Sequence, residues 1–157
     1  PVLFICENNL YSVYTHIRDR QPDRPLTDIA KAHKVNAMQV DGNDPIAVYE
    51  ATSEMVARAR KGAGPGFLVI DTYRWREHCG PGYDNDIGYR SEEEFQSWKE
   101  KDALALMRAS LIKQGNLSEA GDATLNKQIM DEIDEAFDFA MTSPLPTPEQ
   151  SSAHVYS

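Results

Sequence analysis

Three short apolar runs most constrain how this chain can fold: Val2-Leu3-Phe4-Ile5-Cys6, Ala37-Met38-Gln39-Val40 and residues 67–71. The first holds five consecutive apolar residues, a pattern that predicts a strand buried on both faces of a sheet. Between the runs the period changes from strand-like to helical. Residues 28–34 form a short amphipathic stretch with Thr27 as its expected cap. Asp44 followed by Pro45 supplies a side-chain acceptor and a locked backbone angle where a helix begins. That helix should run to about Arg60 with Val48, Ala51, Met55 and Ala59 on one face, and Gly62-Ala63-Gly64-Pro65-Gly66 ends it. The alternation predicts an α/β fold: a parallel sheet with flanking helices and right-handed crossovers.

Beyond the third strand, residues 74–90 read as a long polar loop, and a loop of such length in a compact domain is usually functional or disordered. Within it, Tyr83-Asp84-Asn85-Asp86 reads as a solvated tip. Ser91-Glu92-Glu93-Glu94 is a capping-box pattern that opens a helix, whose apolar face (Leu104, Met107, Leu111) ends near Gly115. Ser118 starts the last helix, where Leu125, Ile129, Ile133, Phe137 and Ala140 recur at helical spacing. Ser143-Pro144-Leu145-Pro146-Thr147-Pro148 then leads into an extended tail over 143–157. No internal repeat and no second domain are expected. A core strand beginning directly after Pro1 suggests the carboxyl-terminal portion of a larger α/β domain.

Composition excludes several classes of function. Sixteen Lys plus Arg against 25 Asp plus Glu give a net charge of −9, which disfavours nucleic acid and anionic membrane as partners. No apolar stretch approaches the roughly 18 residues of a membrane span. With no basic-then-apolar leader and two cysteines too few for a disulfide framework, a cytoplasmic location is expected. Asn116-Leu117-Ser118 matches a glycosylation pattern, which without a secretion signal is coincidence.

The chemistry is concentrated where the first run ends, in Glu7-Asn8-Asn9-Leu10-Tyr11. Strands of α/β sheets present ligand-binding groups at their carboxyl ends. An Asn pair there offers neutral amide oxygens and turned-out carbonyls, hard ligands suited to Mg²⁺ or Ca²⁺. The plainer alternative is that Asn8 and Asn9 only shape the turn. His78 is the best catalytic candidate, because Arg74, Arg76, Glu77 and His78 share the loop leaving the third strand. An imidazole there could donate to a developing oxyanion. His16 is a weaker candidate, and His33 and His154 read as structural or solvated.

Glu-Asn-Asn-Leu-Tyr resembles the closing half of the thiamine diphosphate signature, which opens with Gly-Asp-Gly. Val40-Asp41-Gly42-Asn43-Asp44-Pro45, Asp71-Thr72-Tyr73-Arg74-Trp75, Glu77-His78-Cys79-Gly80 and Gly88-Tyr89-Arg90-Ser91 follow in family order. Together, from Pro1 to about Ser157, they resemble the alpha subunit of thiamine diphosphate-dependent 2-oxo acid dehydrogenases. The resemblance implies thiamine diphosphate and Mg²⁺ as cofactors, with the Asn9 side chain and the Tyr11 backbone carbonyl as metal ligands. It places Leu10 and Ser12 beside the diphosphate, Asn8 as a brace, and His78 as a catalytic residue that also contacts cofactor or substrate. Tyr89 and Arg90 match a pair that orders the loop. Some regulated members carry a phosphorylated serine after the loop histidine, where this chain has Cys79; thiamine chemistry needs no nucleophilic thiol.

The implied partners are the chain or segment bearing Gly-Asp-Gly, a beta subunit supplying the glutamate that activates the cofactor, and a lipoyl or acyl carrier protein, in a hetero-oligomer. The acidic last helix and the apolar face of the helix over 46–60 are expected to contact neighbouring subunits. The implied activity is decarboxylation of a pyruvate-like 2-oxo acid with transfer of the acyl unit to a lipoyl-type carrier. Arg76 and Glu77 before His78, then Cys79-Gly80-Pro81, depart from the mitochondrial type of loop. They keep two alternatives open: a transketolase-like two-carbon transfer or acyl delivery to a biosynthetic carrier, and a non-catalytic assembly subunit.

Overall fold

A computed structural model describes residues 2–153; His154 and the end of the expected tail lie outside the described residues. The chain divides into two compact units, Pro1–Ser110 and Leu111–Ser157.

The first unit is built on three parallel strands, β1 (Leu3–Asn8), β4 (Asn36–Asp41) and β5 (Gly66–Asp71), in the order β1-β5-β4. Leu3 pairs with Gly66 and Asn36 with Gly66, so all three strands end level at Asn8, Asp71 and Asp41. Between β1 and β4 come a small hairpin, β2 (Tyr11–Ser12) with β3 (Thr15–His16), and the helices α1 (Ile17–Arg20) and α2 (Thr27–Ala32). The polar sequence of residues 13–25 hid both the hairpin and α1. Thr27 is not the cap of α2; Leu26 occupies that position, and Thr27 is the first helical residue, buried.

Helix α3 (Pro45–Arg60) starts as the sequence predicts, with the Asp44 carboxylate accepting from Ile46 N and Ala47 N. Ala51 and Met55 pack on Leu68, flanked by Leu3, Met38, Val40 and Ile70. The side of α3 that carries Ala51 and Met55 therefore covers its own sheet, while Ile46 and Tyr49 stay exposed. Leu68 and Val69 are fully buried, as a central strand requires, but Phe4 and Ile5 are 54% and 53% exposed. The expectation that the first strand is buried on both faces fails, because β1 pairs with β5 alone among the described residues. An apolar run specifies a strand without specifying what covers it.

Helix α4 (Glu92–Lys99) is capped by Ser91, whose Oγ accepts from Glu94 N at 3.1 Å. The chain breaks at Glu100 before α5 (Ala103–Lys113), so the expected single helix is two. In the second unit α6 (Glu119–Thr142) is capped by Ser118. Its stripe of Leu125, Ile129, Ile133 and Phe137 is exposed. The tail is not wholly extended: α7 (Pro148–Ser152) forms there behind a reciprocal Thr147–Gln150 capping box.

Candidate functional site

Asn8 is the last residue of β1, and it braces the sheet's edge. Its Nδ2 donates to Asp71 Oδ1 at 2.8 Å, and its Oδ1 accepts from Leu10 N at 3.3 Å. Gln39 Nε2 donates to the other carboxylate oxygen of Asp71 at 2.6 Å. One carboxylate thus ties together the ends of all three parallel strands. Asn9 Oδ1 accepts from Tyr11 N at 3.1 Å, which leaves that amide oxygen a second lone pair.

The backbone here is strained. Leu10 and Val13 hold φ of 70° and 54°, a region that costs a non-glycine residue about 1–3 kcal/mol and persists only where its surroundings enforce it. Ile17 N donating to Leu10 O at 2.7 Å and the β2–β3 hairpin provide that enforcement. Nothing in the sequence announces the strain; Asn or Gly would be the usual residue at such angles.

This turn forms one wall of an open cleft of about 470 Å³. Asn9, Leu10, Tyr11 and Ser12 line it with Arg20, Arg74 and His78. The structure therefore gathers every residue singled out for cofactor or metal contact around one space, although the turn and the His78 loop are some seventy residues apart. His16 and His33 lie elsewhere, His16 capping α1 by accepting from Arg18 N at 3.1 Å and His33 ending α2.

Oxygen donors on one wall and cationic side chains around the cleft suit a diphosphate carrying a divalent ion. Two buried polar atoms on lining residues, Arg74 Nη1 and Gln21 Oε1, have no hydrogen-bond partner. Among the described residues no group of three His, Cys, Asp or Glu side chains is arranged to hold a metal ion. The cleft lining offers amide and backbone carbonyl oxygens and one carboxylate, Glu7.

Aromatic packing supports this wall. Tyr11, Tyr73 and Phe95 form a buried cluster with Leu10, Trp75, Tyr89 and Trp98 around it. Both Tyr11 Oη (2.8 Å) and Tyr73 Oη (3.0 Å) donate to Glu94 Oε1. Burial, then the bond to Glu94, pushes the Tyr73 hydroxyl up to about 12 and raises Tyr11 further still. Glu94, expected to complete a capping box, is instead an acceptor under the site. No local pattern could have revealed this, since its partners lie 83 and 21 residues away. Burial, then Asp71 and Glu7, raises the Cys6 thiol, so Cys6 stays protonated.

The loop over 74–90 is ordered from within. Asp84 and Arg90 are 2% and 5% exposed, and Arg90 Nη2 meets Asp84 Oδ1 at 2.6 Å. Arg90 also donates to the carbonyls of Arg74 and Trp75, and Tyr89 Oη donates to Asp84. Tyr89 and Arg90 do organise the loop. Asp84, however, is its buried anchor and not part of a solvated tip. Arg74 Nη2 donates to Val13 O at 2.7 Å, joining this loop to the strained turn.

The three parallel strands end level and the cleft opens beyond the end of β1, which makes this an α/β protein of the class in which ligands bind at the carboxyl edge of the sheet. The particular family follows from comparison: residues 1–149 match the family described as Dehydrogenase E1 component, and the chain belongs to it. It is 34% identical over its whole length to the 2-oxoisovalerate dehydrogenase subunit alpha of Bacillus subtilis (strain 168), covering 47% of that protein. It is 35% identical over 87% of its length to the pyruvate dehydrogenase E1 component subunit alpha of Acholeplasma laidlawii, covering 39% of it. A chloroplastic pyruvate dehydrogenase E1 component subunit alpha-3 of Oryza sativa subsp. japonica is 31% identical over the full chain, which covers 36% of it. The chain thus spans less than half the length of these relatives. No helix among the described residues is long and apolar enough to cross a membrane.

Proposed function

We propose that this chain forms the metal-and-diphosphate corner of a thiamine diphosphate- and Mg²⁺-dependent 2-oxo acid dehydrogenase, as the carboxyl-terminal part of its alpha subunit. The convergence of Asn9, Leu10, Tyr11, Ser12 and His78 on one cleft at the sheet's carboxyl edge, in a chain of this family, carries the reading. Mg²⁺ takes octahedral oxygen coordination and commonly bridges protein oxygens to phosphate. The Asn9 amide oxygen and the Tyr11 carbonyl are its two ligands from this chain. The aspartate of a Gly-Asp-Gly segment, absent from this sequence, is the third.

Leu10 and Ser12 flank the diphosphate, and Arg20 and Arg74 offset its charge from the cleft wall. Bound thiamine diphosphate supplies the nucleophilic carbon and the electron sink for decarboxylation. His78 is the group of this chain placed to donate to the carbonyl oxygen of the 2-oxo acid or to steady charge developing on it. The beta subunit supplies the glutamate that activates the cofactor, and a lipoyl-type carrier accepts the acyl group.

The test uses the chain assembled with its partner chains. Asn9→Ala removes one of the metal's ligands and should lower turnover at least about 100-fold at limiting Mg²⁺, with partial recovery at high Mg²⁺. Unchanged turnover and unchanged Mg²⁺ dependence would exclude the metal role. Comparing acyl products from pyruvate, 2-oxoisovalerate and a ketose phosphate assigns the substrate class.

A further inference from the structure

The segment around His78 closes on itself in a way that its sequence motif, Arg76-Glu77-His78-Cys79-Gly80-Pro81-Gly82, explains residue by residue. Glu77 N donates to Gly82 O at 3.0 Å, and Gly82 N donates to the Glu77 carboxylate at 3.1 Å. Glu77 therefore grips both backbone groups of Gly82 and closes a small ring of chain that contains His78. The carboxylate occupies the inside of that ring. A Cβ built on Gly80 would stand 2.5 Å from Glu77 Oε1, and one on Gly82 would stand 2.9 Å from it. Gly80 is not at positive φ, so its backbone would admit alanine. A side chain there would have to displace the Glu77 carboxylate.

A second brace comes from the neighbouring residue. Arg76 Nη1 donates to Pro81 O at 2.9 Å, and its guanidinium lies 4.2 Å from the centre of the Tyr83 ring. Glu77 is partly buried, whereas His78 and Cys79 are exposed and His78 faces the cleft. The contacts on Glu77 are with backbone of its own loop. None of them depends on a ligand in the cleft.

We infer that Glu77 is a positioning residue: its carboxylate, clamped to Gly82 and accommodated by Gly80, holds His78 at the mouth of the cleft before cofactor or substrate arrives. This rests on the reading of His78 given above. Fixing a group in place ahead of the reaction removes the entropy of ordering it later. The geometry asks for an acceptor at Glu77 and does not ask for its charge, so Gln should substitute and Ala should not.

The experiment follows amide exchange across residues 77–82 in the assembled enzyme without cofactor, together with steady-state turnover. Glu77→Ala should speed exchange of the Gly82 amide about tenfold, as expected when its hydrogen bond is lost. It should also lower kcat about tenfold with little change in the KM for the 2-oxo acid. Glu77→Gln should restore both to within about threefold of the parent. Gly80→Ala should mimic Glu77→Ala by displacing the carboxylate, and the double variant should be no worse than Glu77→Ala.

Parental exchange at Gly82 in Glu77→Ala overturns the inference. So does faster exchange with unchanged turnover while His78→Ala abolishes turnover. If His78→Ala itself turns over normally, the reading of His78 has failed. That result is recognisable, because Glu77→Ala then opens the loop without kinetic consequence.

Discussion

Glu94 shows how one side chain can serve packing and site together. Its carboxylate accepts hydrogen bonds from the hydroxyls of Tyr11, in the strained turn, and Tyr73, just beyond β5. Hydrogen bonds to a charged partner contribute about 1.5–3 kcal/mol, so Tyr73→Phe should cost about 1.5 kcal/mol in denaturant unfolding, Tyr11 still partnering Glu94. The same bond sets a pH limit. Tyr73 titrates near 10 when unfolded and near 12 when folded, so between these values the folded state binds more protons and stability falls as pH rises. The tyrosine contribution is complete below about pH 10 and is lost on passing pH 12. Unfolding curves taken from pH 8 to 12 should decline steeply for the parent and less steeply for Tyr73→Phe. Equal slopes would show that the hydroxyl is not coupled to folding.

At the scale of elements, the loop over 74–90 behaves as a folded part of the domain because Asp84 and Arg90 neutralise each other inside it. Removing one member of a buried pair leaves an uncompensated charge, at about 3–5 kcal/mol. Asp84→Asn keeps an acceptor for Tyr89 but takes away the charge opposite Arg90. It should destabilise the protein by an amount in that range, with Trp75 fluorescence reporting the loop's loss of packing. A change below about 1 kcal/mol would mean the pair is not buried in solution. Sequence reasoning placed Asp84 in a solvated tip because composition describes a segment's average polarity, while burial here follows from one partner six residues on. The elements it did place, β4, α3, β5 and the Ser118 start of α6, carry their determinants locally: apolar runs, Asp44 before Pro45, a serine cap. Of those it missed, the β2–β3 hairpin is held by strained backbone at Leu10 and Val13 that no short pattern encodes, whereas the start of α5 has a local signal that was passed over, Asp102 accepting from Leu104 N. The candidate site was legible for a different reason. Asn9 and His78 each stand in a recognisable family motif, while their meeting at one cleft depends on β1 and β5 being neighbours.

For the molecule as a whole, the decisive asymmetry is electrostatic and steric at once. The cleft presents amide and carbonyl oxygens and a single carboxylate, Glu7, but no converging group of three His, Cys, Asp or Glu side chains suited to a metal ion among the described residues, although the chain's net charge is −9. Such a set holds Mg²⁺ poorly by itself, because the ion gives up its hydration reluctantly and is usually held by converging carboxylates together with phosphate oxygens. Separately, β1 leaves Phe4 and Ile5 more than half exposed on an edge that has no second strand partner among the described residues, a surface suited to being covered by another segment of sheet. Both features lead to one expectation, that this polypeptide completes its site only when another segment supplies the Gly-Asp-Gly strand. Calorimetric titration of the isolated chain with thiamine diphosphate and Mg²⁺ should therefore give at least about 100-fold weaker binding than the assembled complex. The Asn9→Ala substitution should further weaken the complex while leaving the isolated chain unchanged. Tight, Asn9-dependent binding by the chain alone would show that its own oxygens suffice, and the shared metal corner would have to be abandoned.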